Sequence, residues 1–283
     1  MFFVRELKTE FRSCIPITAQ VEELVAESGI REGICVVALP HTTAGLAITS
    51  FWDPRGLDDL MDEIDRNIPT RVNYKHQDSP YDASGHVKSA LMGASATLLI
   101  HEGRLVLGSS QGLVFVEFDG PRERTFQVQV VAADMTIEKC SLQTAYMGMH
   151  EISGNVQRVV EKSGIRDGIC HIAMLHSTAG LLVAAKDRAA KQDIMEDMER
   201  MVPTRVDFKH RETASDAGGH VKTALAGSQI TLPVREGKVV LGKEQAVLFA
   251  EFDGPRPRSY YTAVLADAGR EENGGETDGE SNV

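Results

Sequence analysis

The sequence predicts an α+β protein made of two tandem copies of one mostly antiparallel β-sheet or sandwich unit with inserted helices. Three observations carry this reading. Long segments recur in the same order at a nearly constant offset. Within each copy, short apolar runs alternate with turn signals. Between them lie stretches with helical apolar spacing and recognisable ends. Ser28-Gly29-Ile30-Arg31-Glu32-Gly33-Ile34-Cys35 recurs as Ser163-Gly164-Ile165-Arg166-Asp167-Gly168-Ile169-Cys170, at an offset of 135 residues. His41-Thr42-Thr43-Ala44-Gly45 recurs as His176-Ser177-Thr178-Ala179-Gly180. A one-residue deletion then shortens the offset to 134, at which Gly85-His86-Val87-Lys88 matches Gly219-His220-Val221-Lys222. Glu117-Phe118-Asp119-Gly120-Pro121-Arg122 likewise matches Glu251-Phe252-Asp253-Gly254-Pro255-Arg256. The period is domain-sized, so this is a duplication and not a solenoid. The units are 1–133 and 134–266, followed by an acidic segment, 267–283, too polar to fold and expected to be a disordered tail.

Within the first unit, the residues through Ile17 suggest one or two strands. Thr18 can cap a helix with the stripe Val21, Leu24 and Val25, stopped by Gly29. Ile34 to Leu39 reads as a buried strand, left by the loop His41 to Gly45, and Leu46 to Phe51 resumes extended chain. Asp53-Pro54 starts a helix whose inward residues are Leu57, Leu60, Met61 and Ile64. A polar loop, Arg71 to Gly85, precedes a short helix from about His86 to Met92. Ala96–Ile100, Arg104–Leu107, Leu113–Phe118 and Thr125–Val131 read as strands separated by turns, one of them Asp119-Gly120-Pro121.

The chain has 283 residues, 42% hydrophobic and 25% charged, as in soluble globular proteins. No apolar run approaches the ~20 residues that span a bilayer, so no membrane partner is expected. The first residues turn charged without a signal-peptide core, which makes a cytoplasmic location the expectation. A net charge of −11 disfavours nucleic acid. The four cysteines lack C-x-x-C spacing; Cys35 and Cys170 read as small core residues on strands.

Six of nine histidines fall into aligned pairs: His41 with His176, His76 with His210, and His86 with His220. Three neutral imidazoles meeting at one point would make a divalent-metal site, with Mg²⁺ or Zn²⁺ as candidates. The alternative is a proton-transfer cluster. Asp82 and Asp216 can cap the helices that carry His86 and His220, exposing N–H groups to an anion, with Lys88 and Lys222 as point charges for phosphate. Thr42, Thr43 and Gly45, with Ser177, Thr178 and Gly180, add hydroxyls and a close backbone approach. Glu117 and Glu251 can hold Mg²⁺, or salt-bridge to nearby arginines and fix the hairpin; Arg122 and Arg256 are further anion candidates.

Together these segments resemble the YjbQ-like family, described as secondary thiamine-phosphate synthases. The likeness rests on the HTTAG loop at His41 to Gly45, Tyr74-Lys75-His76, Asp82 to Lys88, and the EFDGPR hairpin at Glu117 to Arg122, and covers nearly all of each half. Two features depart from the pattern. The family's G-T-W-Q-G segment is Gly108-Ser109-Ser110-Gln111-Gly112 here and Gly242-Lys243-Glu244-Gln245-Ala246 in the second half, and members are usually one unit.

The resemblance implies transfer of a pyrimidine methyl group from its diphosphate to the nitrogen of a thiazole phosphate, with loss of pyrophosphate and a divalent ion to carry it. It also implies a small phosphorylated substrate and a homo-oligomer of three-fold character. A metal-dependent hydrolase or phosphatase, and a non-enzymatic metal- or anion-binding oligomer, are the competing readings. The first half, which keeps Gly112 and Asp53-Pro54, is expected to be the better catalyst.

Overall fold

A computed structural model describes residues 1–76, 78–205, 207–213 and 215–267. Apart from Asp267, the segment read as a tail lies outside the described residues. The first repeat runs β1 (Phe2–Thr9), β2 (Ser13–Pro16), α1 (Thr18–Ser28), β3 (Gly33–Ala38), β4 (Ala44–Ser50), α2 (Pro54–Asn67) and α3 (Pro80–Met92), then β5 (Ser95–His101), β6 (Arg104–Leu105), β7 (Gln111–Glu117) and β8 (Arg122–Ala132). The second runs β9 (Met135–Gln143), β10 (Met149–Glu151), α4 (Ser153–Ser163), β11 (Gly168–Met174), β12 (Ala179–Ala185), α5 (Arg188–Met201) and α6 (Asp216–Ala226), then β13 (Gln229–Arg235), β14 (Lys238–Val239), β15 (Gln245–Glu251) and β16 (Pro257–Ala266). Each repeat holds two antiparallel sheets, in the orders β1-β8-β3-β5-β6 and β2-β7-β4, and β14-β13-β11-β16-β9 and β10-β15-β12. No helix among the described residues is long and apolar enough to cross a membrane.

Strand alternation explains the core. In β3, Cys35 and Val37 are fully buried while their neighbours are partly exposed. Burial pushes the Cys35 and Cys170 thiols up to about 12, so both stay protonated core residues. In β7 every residue is buried, because two different cores claim its two faces. Leu113 and Phe115 face α1 and the sheets of their own repeat. Val114 and Val116 face a second cluster, where α2 meets Ala217 and Val221 of α6 in the second repeat. A further seam packs Leu99 and Val106 against Ala173, Ala263 and Leu265.

Two helix starts differ from expectation. Thr18 does not cap α1; its hydroxyl accepts from Leu113 N at 2.8 Å and so ties the helix to β7. The helix expected from His86 begins at Pro80 instead, because Ser79 accepts from Asp82 N at 3.0 Å and proline suits the first turn. Asp82 therefore lies inside the helix, where its carboxylate is free for other partners. Gly29, in the left-handed region at φ 67°, ends α1 as expected, and Asp53 caps α2, accepting from Arg55 N at 3.0 Å.

Candidate functional site

The second repeat gathers His210, Asp216 and His220, whose candidate ligand atoms lie within 4.8 Å of one another. Asp216 and His220 stand four residues apart on α6, hence on one face. His210 comes from the preceding loop, which the first repeat fixes: Asp59 accepts from Lys209 N at 2.9 Å and from His210 N at 2.8 Å. The His210 Nδ1 sits 2.6 Å from Asp53 Oδ2, and the His220 Nδ1 sits 2.8 Å from Ser177 O. Both partners only accept, so each Nδ1 carries a proton, which leaves Nε2 as the nitrogen that can meet a ligand. The His210 Nε2 is buried, lies 3.1 Å from Asp216 Oδ2, and makes no well-formed hydrogen bond.

That orphaned nitrogen beside a carboxylate is what a cation would satisfy. The residues fit a divalent ion with two imidazoles and one carboxylate, a donor set with open positions. Burial, with His210 nearby, holds His220 below the usual histidine range against the opposing Ser177 bond, so its lone pair stays available. Arg55 first, and then His210, hold the Asp53 carboxyl well below its usual range.

The first repeat repeats the trio as His76, Asp82 and His86, with Asp82 Oδ2 at 2.8 Å and 3.2 Å from the two Nε2 atoms. His86 Nδ1 meets Thr42 O at 3.0 Å. Here no carboxylate among the described residues bonds His76 Nδ1 as Asp53 bonds that of His210, and the side chains of His76 and His86 are 47% and 39% exposed, against 5% for His210.

The third histidine of each set does not belong to the trio. His176 Nε2 accepts from Ser259 N at 2.8 Å, and His41 Nε2 accepts from Thr125 N at 2.9 Å. Burial first, and then Arg258, push His176 down to about 4, so it is neutral. His176, His210 and His220 nevertheless line one cavity of about 400 Å³, which Trp52 and Asp53 of the first repeat also border.

Most of the expected anion ligands have structural partners instead. Lys88 and Lys222 are buried at 2% exposure, bonded at 2.5 Å to Asp65 and Glu199 on the neighbouring helices α2 and α5. Glu117 and Glu251 are fully buried, held by Arg124 and Arg258 and by Thr9 and Thr144, so they are hairpin ion pairs and not Mg²⁺ ligands. Burial pushes the Glu117 carboxyl up, but Arg124, Asp119 N and Thr9 outweigh it and hold it below its usual value. Thr43 and Thr178 bond to the same two arginines. Gly45 and Gly180 admit helices, not ligands: a Cβ there would meet Met92 Cγ at 2.9 Å and Ala226 Cβ at 2.8 Å. Thr42 and Ser177 contribute backbone carbonyls to His86 and His220. Arg122 is paired with Asp119, and Arg256 with Asp253 at 2.7 Å; Arg256 borders the cavity with 45% of its side chain exposed.

Asp82, Asp216, Asp53, Arg124 and Arg258 also shape the two sites, although the sequence reading names none of them as a ligand. The i, i+4 pairing of Asp82 with His86, repeated at Asp216 and His220, was the signal for the first two. Nothing in the sequence marks Asp53 as a neighbour of His210.

The family described as "UPF0047 protein YjbQ-like" matches residues 4–133 and again 138–267. Among curated relatives, the UPF0047 protein MJ1081 of Methanocaldococcus jannaschii is 39% identical over 132 residues, 46% of this chain and 94% of that protein. The UPF0047 protein YugU of Bacillus subtilis is 37% identical over 128 residues, 44% of this chain and 96% of that one. A solved structure from Clostridium acetobutylicum, described as an uncharacterized conserved protein of the same family, is 39% identical, covering 46% of this chain and 99% of its own, with a TM-score of 0.44. One from Sulfolobus solfataricus, described as of unknown function, is 31% identical over 47% of this chain and 99% of its own, with a TM-score of 0.46. These descriptions give a family designation and no activity, and none supports thiamine-phosphate synthesis. The transfer reaction implied by the resemblance has no support in these relatives, and the burial of Lys88 and Lys222 removes two of the groups meant to carry pyrophosphate.

Proposed function

The chain belongs to the UPF0047 YjbQ-like family, in two tandem copies, and from that premise we propose that its second repeat is a divalent-metal centre that acts on a small anionic molecule. The observation that carries the reading is the buried, unbonded His210 Nε2 facing Asp216 and His220. Two imidazole nitrogens favour Zn²⁺ or another first-row ion over Mg²⁺, which prefers an all-oxygen shell. When bound, such an ion supplies Lewis acidity and lowers the pKa of a coordinated water.

The protein's own groups do the rest. Asp53 and Ser177 O fix the two ring orientations. Asp216 brings negative charge to the ion, its Oδ1 and Oδ2 anchored by Ala217 N and Glu212 N. Arg256, at the cavity edge, offers a guanidinium to an incoming anion. His176, neutral and unprotonated at Nε2, holds the loop that leads into the site and does not act as an acid there.

The test is metal content. Full-length protein exposed to zinc and passed through a desalting column should retain the ion, as counted by mass spectrometry. His210→Ala and His220→Ala should each reduce retention at the second site at least tenfold. A folded wild-type protein that binds no divalent ion at micromolar concentration would exclude the reading.

A further inference from the structure

The one-residue deletion in the second repeat falls where the first repeat borders the cavity. Ser50 pairs with Gln111 and Ala185 with Gln245, so Ser50 and Ala185 are counterparts. Asp53 and Asp187 are counterparts too, each capping the helix that follows. Between these fixed points the first repeat has Phe51-Trp52 and the second has Lys186 alone. Phe51 packs against the cluster in the joint between repeats. Its ring lies over Gly112, where a Cβ would meet Phe51 Cγ at 2.8 Å. The second repeat has no ring to admit there and carries Ala246 at that position.

Trp52 stacks on Phe51, with ring centroids 4.7 Å apart and planes 26° from parallel. Its Nε1 donates to Ser109 O at 2.9 Å. Two contacts thus fix the indole, yet 68% of the residue stays exposed. Phe51 covers one face of the ring, which leaves the other open. Trp52 borders the cavity of about 400 Å³ together with His210, His220 and Arg256. The next residue, Asp53, bonds to His210, so the indole and the histidine–aspartate cluster are held by one short segment of chain. An indole already ordered by a stack and a hydrogen bond loses little freedom when a second ring settles on it. The quadrupoles of two flat rings favour such an offset stack.

We propose that Trp52 of the first repeat selects the ligand of the second repeat's site: a small anion that carries a flat unsaturated ring, the ring lying on the open face of the indole and the acidic group reaching Arg256. The proposal rests on the reading of that cavity as one that takes an anion. Phe51 and Gly112 are positioning residues, since they hold the indole and do not border the cavity themselves. The second repeat lacks both rings, so the preference belongs to the cavity that Trp52 borders.

The experiment titrates the full chain, metal-free and zinc-loaded, with phenylphosphonate and with methylphosphonate, which share the anionic group and carry no ester to hydrolyse. Calorimetry reads affinity. The chain has one tryptophan, so its emission reports on Trp52 alone. Phenylphosphonate should bind wild-type protein about tenfold more tightly than methylphosphonate and change the emission, because only it can stack. Trp52→Ala should bring the two ligands to within about twofold of each other, and Trp52→Phe should keep most of the preference. Gly112→Ala, which displaces Phe51, should weaken the preference with Trp52 still in place. A ring that adds no affinity, an emission that does not respond, or a preference that survives Trp52→Ala overturns the proposal. The metal reading fails separately, through zinc retention: the ring preference is expected in metal-free protein as well, where Arg256 still meets the anion.

Discussion

Asp53 in the first repeat and His210 in the second meet across the joint, carboxylate Oδ2 to imidazole Nδ1, at 2.6 Å. The contact makes a metal-binding geometry in one repeat depend on a helix cap in the other.

Replacing Asp53 by Asn should therefore weaken zinc binding at the second site by about 10- to 100-fold, the usual effect of losing an outer partner of a ligating histidine. Asn still caps α2, so stability should change little. A competition titration with a chromogenic chelator reads the affinity, and thermal unfolding reads the stability. Unchanged affinity would mean that Asp53 does not orient His210.

The two repeats should differ, in the reverse of the order expected from Gly112 and Asp53-Pro54. The second site is buried and preorganised, while the first is open to water within one chain. At concentrations where the chain is a single copy, His220→Ala should remove the tighter zinc ion and His86→Ala the weaker. Isothermal titration resolves the two; equal losses would contradict the ranking.

His176→Ala should leave zinc affinity within about twofold, because its Nε2 already accepts from Ser259 N. Its cost should be in stability, about 1–3 kcal/mol for leaving that N–H without a partner. A tenfold loss of zinc affinity would place His176 among the ligands after all.

The same residue gives a pH dependence. The folded His176 titrates near 4 against an ordinary value of 6.5. The unfolded chain therefore binds a proton first as pH falls, so stability is lost from about pH 6.5 down to about 4 and is complete above that window. His176→Gln should flatten this acid limb. Urea midpoints at several pH values across that window check it, and an unaltered slope counts against the buried neutral imidazole.

Lys222→Met should cost about 1 kcal/mol, since Glu199 loses the lysine held at 2.5 Å but is 40% exposed and keeps its bonds from Thr204. Binding of inorganic phosphate to the folded variant should be unaffected. A selective loss of phosphate binding would return Lys222 to the anion site.

The sequence by itself determined the duplication, the antiparallel α+β character and the small set of polar residues that both repeats keep. Strand and helix periods fix which side chains share a face, so Cys35, Val37, Leu60 and Ile64 could be placed inward from spacing alone. The same periods do not say what covers that face. Lys88 reads as a point charge for phosphate, yet α2 lies over it and supplies Asp65. Asp82 reads as a cap until the helix is seen to start at Pro80 with Ser79 as its cap, which turns the Asp82 carboxylate toward His76 and His86. Asp53 lies 157 positions from His210 in the chain, and only the packing of one repeat on the other brings them together. Local propensity acts over a few residues; which repeat owns a completed site is decided by the interface between them.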